Sequence, residues 1–429
     1  MKPKRTNHTQ GLFFESRLSQ ILNPQHELFR LSEQIDWKSI EQQVDVCFQD
    51  QGRPAKPVRL IVGIFMLQQI SGLSDEMAVY RWVENPYWQF FCGYDFLQWS
   101  FPIDPTTLVR WRRRLKKRGL EKILSETVNT AKRTGTIQTR SLEQVIVDTT
   151  VMEKNITYPT DSKLYHKARE NLVRLAKRHG IALRQAYTRN SKKALFQACR
   201  YIHARQMRRA KRQIKKLKTY LGRTVRDIKR KIDGRKELEL YFQSHLEIAE
   251  KILTQEKKSP NKVYSIHAPE VECIAKGKLH KKYEFGCKVS LVTTHKEGLV
   301  LSSQALHGNP YDGHTLEDAL KSAEEVSSKE IKRAFVDKGY KGHKLDGKEV
   351  FISGQKRGMT NYFKKLLKRR QSIEPHIGHM KSEGKLDRNY LKGSLGDQMS
   401  SILVGIGHNL RLVLAKLRKG FVDPCSSPG

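Results

Sequence analysis

Glu374 stands between two cations, Arg370 four residues before it and Lys381 seven after it. Four residues make about one helical turn and seven about two, so a helix through this stretch carries all three on one face. A carboxylate framed in that way suits a place where a metal ion and a phosphate meet. The acid holds the metal, and the cations take the non-bridging oxygens. Pro375 modifies the picture: it biases Glu374 away from helical torsion angles, which predicts a helix opening at Pro375 with Glu374 as its cap and Arg370 outside it. Taken alone, the segment reads more simply as a mixed-charge surface helix.

Two further acids change that balance. Asp148 lies in the middle of Val145, Ile146, Val147, Thr149, Thr150 and Val151, a β-branched run that reads as a strand. A buried strand accepts an aspartate only where its desolvation is offset, which a bound metal does; a capping aspartate at a strand end is the plainer alternative. The apolar run Ile331 to Val336 delivers Asp337 at its end. Three carboxylates on a strand-rich α/β core make a site for two hard cations such as Mg2+, with Mn2+ as a substitute. Two such ions about 4 Å apart assist displacement at a phosphodiester. His376 and His379 flank Glu374, but hard cations prefer oxygen, so a supporting or surface role is expected for both. His307, Asn309, Asp312 and His314 are explained by a polar turn between strand and helix.

The elements that must position these acids follow from periodicity. Residues 1–140 read as helices. Val58 to Ile70 is apolar throughout, opened by Pro54 and Pro57 and closed by Ser71 and Gly72, and its length favours a buried helix. Ser74 caps the next helix, with Asp75 and Glu76 in its first turn. Trp82, Tyr87, Trp88, Phe90, Phe91, Tyr94, Phe96 and Trp99 most simply make a small core, base stacking being the less economical reading of so dense a block. Pro105 to Thr107 open a helix bearing Arg110, Arg112 and Arg113, whose basic faces are expected on DNA, in helix-turn-helix geometry over Gly72 to Arg118.

Residues 141–160 carry the first catalytic strand. Residues 161–259 read as a basic helical insertion, in which Ile214, Leu217, Leu221, Val225, Ile228 and Ile232 form one apolar stripe broken by Asp233 and Gly234. Residues 260–420 resume the core. Strands are expected at Val263 to Ile266, Tyr283 to Thr293, Leu299 to Leu306 and Glu349 to Ile352, and a helix at Leu316 to Val326.

Composition narrows the partners. The chain of 429 residues has a net charge of +37, far beyond what solubility requires, so a polyanion is the expected partner and nucleic acid the first candidate. Residues 161–240 hold 26 Lys and Arg against 6 Asp and Glu, an excess of 20 that would repel itself without such a partner, and Lys215 and Lys216 are expected on DNA phosphate. The 6 cysteines include no CxxC pair, which argues against a zinc ribbon and against a disulfide framework. No apolar run spans a bilayer and no signal peptide opens the chain, so a reducing cytoplasm, at the nucleoid, is the expected location, with no membrane partner and a loose tail from Asp423 to Gly429.

In the order of these acids the chain resembles the DDE transposases of bacterial insertion sequences, in the groups named insertion sequence four and five. The resemblance rests on VIVDTTV around Asp148, AFVDKGYKG around Asp337, and RRQSIEPHIGHMKSEGKLDRNYLKG around Glu374. The family spacing of Tyr, Arg, Glu and Lys falls on Leu367, Arg370, Glu374 and Lys381, so the Tyr is replaced. The segment Gly52 to Arg114 is similar to the helical domain that precedes the core in part of the family. The resemblance implies an RNase H-like catalytic core, interrupted by the basic insertion and preceded by an all-α DNA-binding domain. It implies that Asp148 bridges two metal ions, that Asp337 and Glu374 hold one each, and that Arg370 and Lys381 grip phosphate. The implied reaction is cleavage at the terminal inverted repeats of an element and transfer of the freed 3′-OH to target DNA, by a dimer and without a covalent protein intermediate. A nuclease that cuts without joining, and a domesticated transposase acting as a non-catalytic DNA-binding regulator, are the alternatives.

Overall fold

The computed structural model describes residues 16–44, 54–257, 259–275, 281–343, 345–355 and 359–419. The expected loose tail, with Cys47 and Cys425, lies outside them. Backbone contacts divide the chain into two compact units, Met1–Glu153 with Lys288–Gly429, and Lys154–Cys287.

The first unit opens with helices α1 (Leu18–Ile21), α2 (Glu27–Gln34), α3 (Trp37–Val44), α4 (Val58–Ser71), α5 (Asp75–Glu84), α6 (Pro86–Phe91) and α7 (Pro105–Arg133). The apolar run starting at Val58 does form a helix, buried along most of its length and closed by Gly72 in the left-handed region. Ser74 caps α5 as its sequence predicts, its hydroxyl accepting from the Met77 amide. Helix α7 is not one straight rod, because Lys116 adopts φ 52° and ψ −162° and separates two helical segments. A residue with a Cβ held there stores strain of about 1–3 kcal/mol.

Strand β1 (Gln144–Lys154) follows, and later in the chain come β3 (Glu284–Thr294), whose first residues still belong to the second unit, β4 (Val300–Leu306), α12 (Asp312–Ser327), β5 (Arg333–Val336), β6 (Glu349–Ile352), α13 (Asn361–Arg369), α14 (Ile373–Ser382), β7 (Arg388–Asn389) and α15 (Gly393–Lys419). β3 lies beside β1, β1 beside β5, and β5 beside β6, while β4 pairs with β3 and β7 with β1. β1 and β5 are parallel, with Ile146 opposite Phe335 and Val147 opposite Val336. β5 and β6 are also parallel, and β3 and β4 antiparallel.

Side chains alternate across a strand, so these pairs sort onto two faces. Val145, Val147, Ala334 and Val336 face the main core, which α4, α7, α12 and α15 complete with residues such as Phe65, Leu124, Leu320 and Leu410. Ile146 and Phe335 face the other way, into a smaller cluster with Phe351 and Ile373 that Phe363, Leu366 and Leu367 flank. Asn409 on α15 ties three elements of the main core together. Its amide nitrogen donates to the Thr127 hydroxyl at 3.0 Å and to the Val300 carbonyl at 2.8 Å, and its oxygen accepts from the Val300 amide at 2.8 Å.

The second unit is helical: α8 (Asp161–Arg178), α9 (Thr188–His203), α10 (Met207–Ile232) and α11 (Lys236–Thr254), with the break at Asp233 and Gly234 where its sequence places it. Leu172, Leu217, Leu221, Val225, Ile228, Phe242 and Ile252 make its core. The strand expected at Val263 to Ile266 does not form. Val263 is instead buried in this helical core, and its backbone amide and carbonyl are both bonded to the Gln255 side chain. The strand of this region is β2 (Glu272–Ile274), antiparallel to Glu284–Gly286.

The turn between β3 and β4 meets α15 through His408, whose Nε2 donates to the Gly298 carbonyl at 3.1 Å. Burial lowers the His408 imidazole to about 3, with His376 and Arg411 adding repulsion and the Gly298 bond acting the other way. The folded value lies below the unfolded one of about 6.5, so the neutral ring contributes fully above that pH and its contribution is lost as pH falls toward 3. Between pH 6.5 and pH 4.5 the unfolding free energy should therefore fall by up to about 1.4 kcal/mol per pH unit on this account. Denaturant titrations of the wild type and His408→Gln at several pH values check this: the variant should show the shallower slope, and equal slopes would remove His408 as the cause.

Candidate functional site

Because Val147 is opposite Val336, the next residue of each strand brings Asp148 and Asp337 side by side. They share the face of Ile146 and Phe335, two residues earlier on each strand. Arg370 joins them. Its Nη1 lies 3.4 Å from Asp148 Oδ2 and its Nη2 lies 3.8 Å from Asp337 Oδ1, and its side chain is only 9% exposed. Asp148 Oδ1 also accepts from the Thr149 amide at 2.7 Å. A buried guanidinium between two carboxylates offsets the cost of their desolvation.

The helices over this face are fixed by packing and by hydrogen bonds. A 3-10 turn, Arg370–Ser372, links α13 to α14, and Ile373 at the start of α14 is fully buried against Ile146 and Phe335. At the end of β3, His295 donates from Nε2 to the Leu366 carbonyl at 2.9 Å, and burial lowers its imidazole below the ordinary range. Leu367 packs among the same apolar side chains, which accounts for an aliphatic residue where the resemblance has Tyr.

The helix expected to open at Pro375 opens instead at Ile373, so Glu374 is its second residue. Pro375 then falls in the first turn, where an absent amide hydrogen leaves no intrahelical bond unmade. Glu374 is exposed beside the buried Ile373, and Lys381 lies in the last turn of the same helix. Among the described residues no three His, Cys, Asp or Glu side chains converge as a metal-holding group. The structure thus brings Asp148, Asp337 and Arg370 into contact and places Glu374 on the helix packed over them, without drawing it in as a third ligand. The donor chemistry fits a hard cation, since the paired groups offer carboxylate oxygen alone.

His376 is half-buried rather than a surface residue. A Cβ on Gly298, whose φ is +72°, would come impossibly close to the His376 ring, so the absent side chain is what lets α14 dock on this turn. Burial lowers the His376 imidazole, with His379 adding to the effect. His379 itself is exposed and bonded to Glu383.

Two residues of this neighbourhood, Lys288 and Tyr340, were given no role from the sequence. Lys288 on β3 is buried, donates to the Pro310 carbonyl at 2.7 Å and pairs with Asp312 at 3.1 Å. Tyr340 is buried, and burial together with the charges of Asp312, Asp148 and Asp337 pushes its phenol well above the ordinary value, so it remains a neutral hydroxyl. The usable signal was a lone lysine inside the apolar strand around Val289, which a fold tolerates only with a partner.

Of the cations expected on DNA, Arg110, Arg113, Lys215 and Lys216 are exposed. Arg112 is a correction: it turns inward, 6% exposed, and binds both carboxylate oxygens of Asp75, so its guanidinium is not offered to phosphate. The spacing of a basic helix cannot tell which arginine an acid on a neighbouring helix will claim.

Two acids on neighbouring parallel strands, in a chain this basic, define a class of site suited to phosphate chemistry, and the comparisons with known proteins say which family carries it. Residues 266–410 match the family described as Transposase DDE domain, and residues 16–114 match the Transposase domain (DUF772). The "Uncharacterized protein ORF8 in nfe locus" of Rhizobium meliloti is 49% identical over 206 residues, which are 48% of this chain and 100% of that protein. No solved structure matches. The chain belongs to the DDE transposases, a family of DNA-acting enzymes that use divalent metal ions. Asp337 and Glu374 fall within the matched DDE range, whereas Asp148 lies between the two matched ranges. Among the described residues no helix is long and apolar enough to cross a membrane.

Removing the bridging cation tests this geometry without any assay of turnover. Arg370→Leu removes the cation that lies between Asp148 and Asp337, and unfolding free energy should fall by about 1–3 kcal/mol. Millimolar magnesium should then raise the melting temperature of the variant more than that of the wild type. Equal responses in a thermal melt would show that the two acids do not form a cation site.

Proposed function

We propose that this protein is a transposase that cuts DNA at the ends of an insertion sequence and joins the freed 3′-OH to target DNA, with Asp148, Asp337 and Glu374 as its catalytic carboxylates. The observation that carries the reading is the parallel register of β1 and β5, which makes neighbours of two acids far apart in sequence, under a helix that bears the third. The strand order from β4 through β3, β1 and β5 to β6, with antiparallel and then parallel pairs, supports an RNase H-like core. The proposed domains are a helical DNA-binding segment over residues 1–140, a core over residues 141–160 and 260–420, and a basic insertion over residues 161–259.

Asp148, Asp337 and Glu374 would hold two Mg2+ ions, with Mn2+ able to substitute. Bound there, the metal supplies polarisation of phosphoryl oxygens and stabilises the charge that builds on them. The residues of the chain do the positioning. Arg370 lies between the two aspartates, within reach of both, and would be placed to meet DNA phosphate with a cation held there. Lys381 meets phosphate from the same helix as Glu374. Tyr340 offers a neutral hydroxyl that adds no charge beside the acids. Arg110 and Arg113 on α7 and Lys215 and Lys216 on α10 contact the DNA backbone, and two protomers act on paired terminal inverted repeats.

Asp148→Ala, Asp337→Ala and Glu374→Ala, incubated with magnesium and a labelled duplex carrying the presumed element end, should each lose cleavage on the order of a thousandfold while keeping DNA affinity. Gel analysis of strand-joined products separates a transposase from a nuclease that only cuts. Cleavage undiminished in any of the three variants would remove that residue from the reaction, and binding without cleavage by the wild type would favour a regulator.

A further inference from the structure

Between α5 and the start of α7 lies an open groove of about 960 Å³. Tyr80 and Phe101 line it, their rings 4.9 Å apart and near perpendicular, and both are 54% exposed. Trp99, two residues before Phe101, is 83% exposed. These rings contrast with Trp82, Trp88 and Phe91, which are buried as a small core requires. Three large aromatic side chains left in water within one short region mark a surface that something flat covers.

The groove is also cationic. Lys56, Arg110 and Arg114 line it against one carboxylate, Asp104. That carboxylate is already committed, because it caps α7 by accepting from the Thr106 amide at 2.8 Å. Cations beside exposed rings fit a polyanion that carries its own planar groups. The bases of an intact duplex are stacked inside it and offer these rings nothing, and an apolar peptide has no use for three cations.

We propose that this groove binds unpaired nucleotides, the rings of Tyr80 and Phe101 stacking on bases while Arg110 and Arg114 take the adjoining phosphates. The occupant is a single-stranded DNA segment, such as one splayed at the end of a duplex. The inference rests on the DNA-acting reading given above but needs none of its catalytic assignments.

The test is fluorescence anisotropy on the full chain without divalent metal, using a 20-base-pair blunt duplex, the same duplex with a five-nucleotide unpaired tail, and a ten-residue oligothymidine. The tailed duplex should bind roughly tenfold more tightly than the blunt one, and oligothymidine should compete that advantage away. The double variant Tyr80→Leu with Phe101→Leu should abolish the preference and leave blunt-duplex affinity in place, while Phe101→Tyr should retain it. Arg110→Gln with Arg114→Gln, both exposed and therefore compatible with folding, should weaken oligothymidine binding and flatten its salt dependence. Equal affinity of the wild type for tailed and blunt duplexes would overturn the proposal, as would a folded leucine variant that keeps the preference or a groove variant that changes only the oligomeric state. Failure to bind any DNA would instead sink the transposase reading itself.

Discussion

The first unit depends on the two-residue alternation of β1 and β5 held in one parallel register. Val145, Val147, Ala334 and Val336 close the main core from one side of the sheet, and Ile146 with Phe335 seat α14 from the other. The acids take the next positions on that second side. A slip of one residue between these strands would turn Asp148 or Asp337 toward the apolar core while exposing valine to the helix, so the same hydrophobic term that stabilises the sheet specifies the acid pair. The geometry at these acids is in this sense a by-product of core packing, and no residue near them has to enforce it alone.

What was legible in the sequence follows the strength of the local signal. The apolar stretch from Val58, the Ser74 cap, the β-branched run around Asp148 and the stripe along α10 announce themselves by periodicity and capping, and all take the expected form. Val263 to Ile266 is apolar and β-branched too, yet it has no strand partner and fills a gap among helices. Pro375 suggested a boundary, but a proline is tolerated anywhere in a first turn, so it could not locate the start of α14 to the residue. The neighbourhood of Asp148 and Asp337 needed the register, which no spacing along the chain reveals. The burial of Arg112 and the Lys288 to Asp312 pair are tertiary choices in the same way: each depends on which side chain another element happens to present.

Charge is distributed by a similar logic. In the second unit α10 turns Leu217, Leu221, Val225 and Ile228 inward and leaves Lys215, Lys216, Arg223 and Arg226 in water. Few acids stand against them, Asp227 being the main one, and it takes the Arg184 amide, Arg230 and Lys231. The apolar stripe gives the helix a reason to fold that is independent of its cations, so those cations stay available to a polyanion without being needed for the core.

The break at Lys116 has a mechanical meaning. On its amino-terminal side α7 carries Arg110 and Arg114 along an open groove, and on its other side it runs through Leu120, Leu124 and Val128 in the main core. A continuous helix would transmit any push on the first segment to the second as a rigid lever. A single residue in a sparsely populated conformation sets the angle between the two segments instead, so one pair of torsions decides how the groove-lining arm stands to the arm packed in the core.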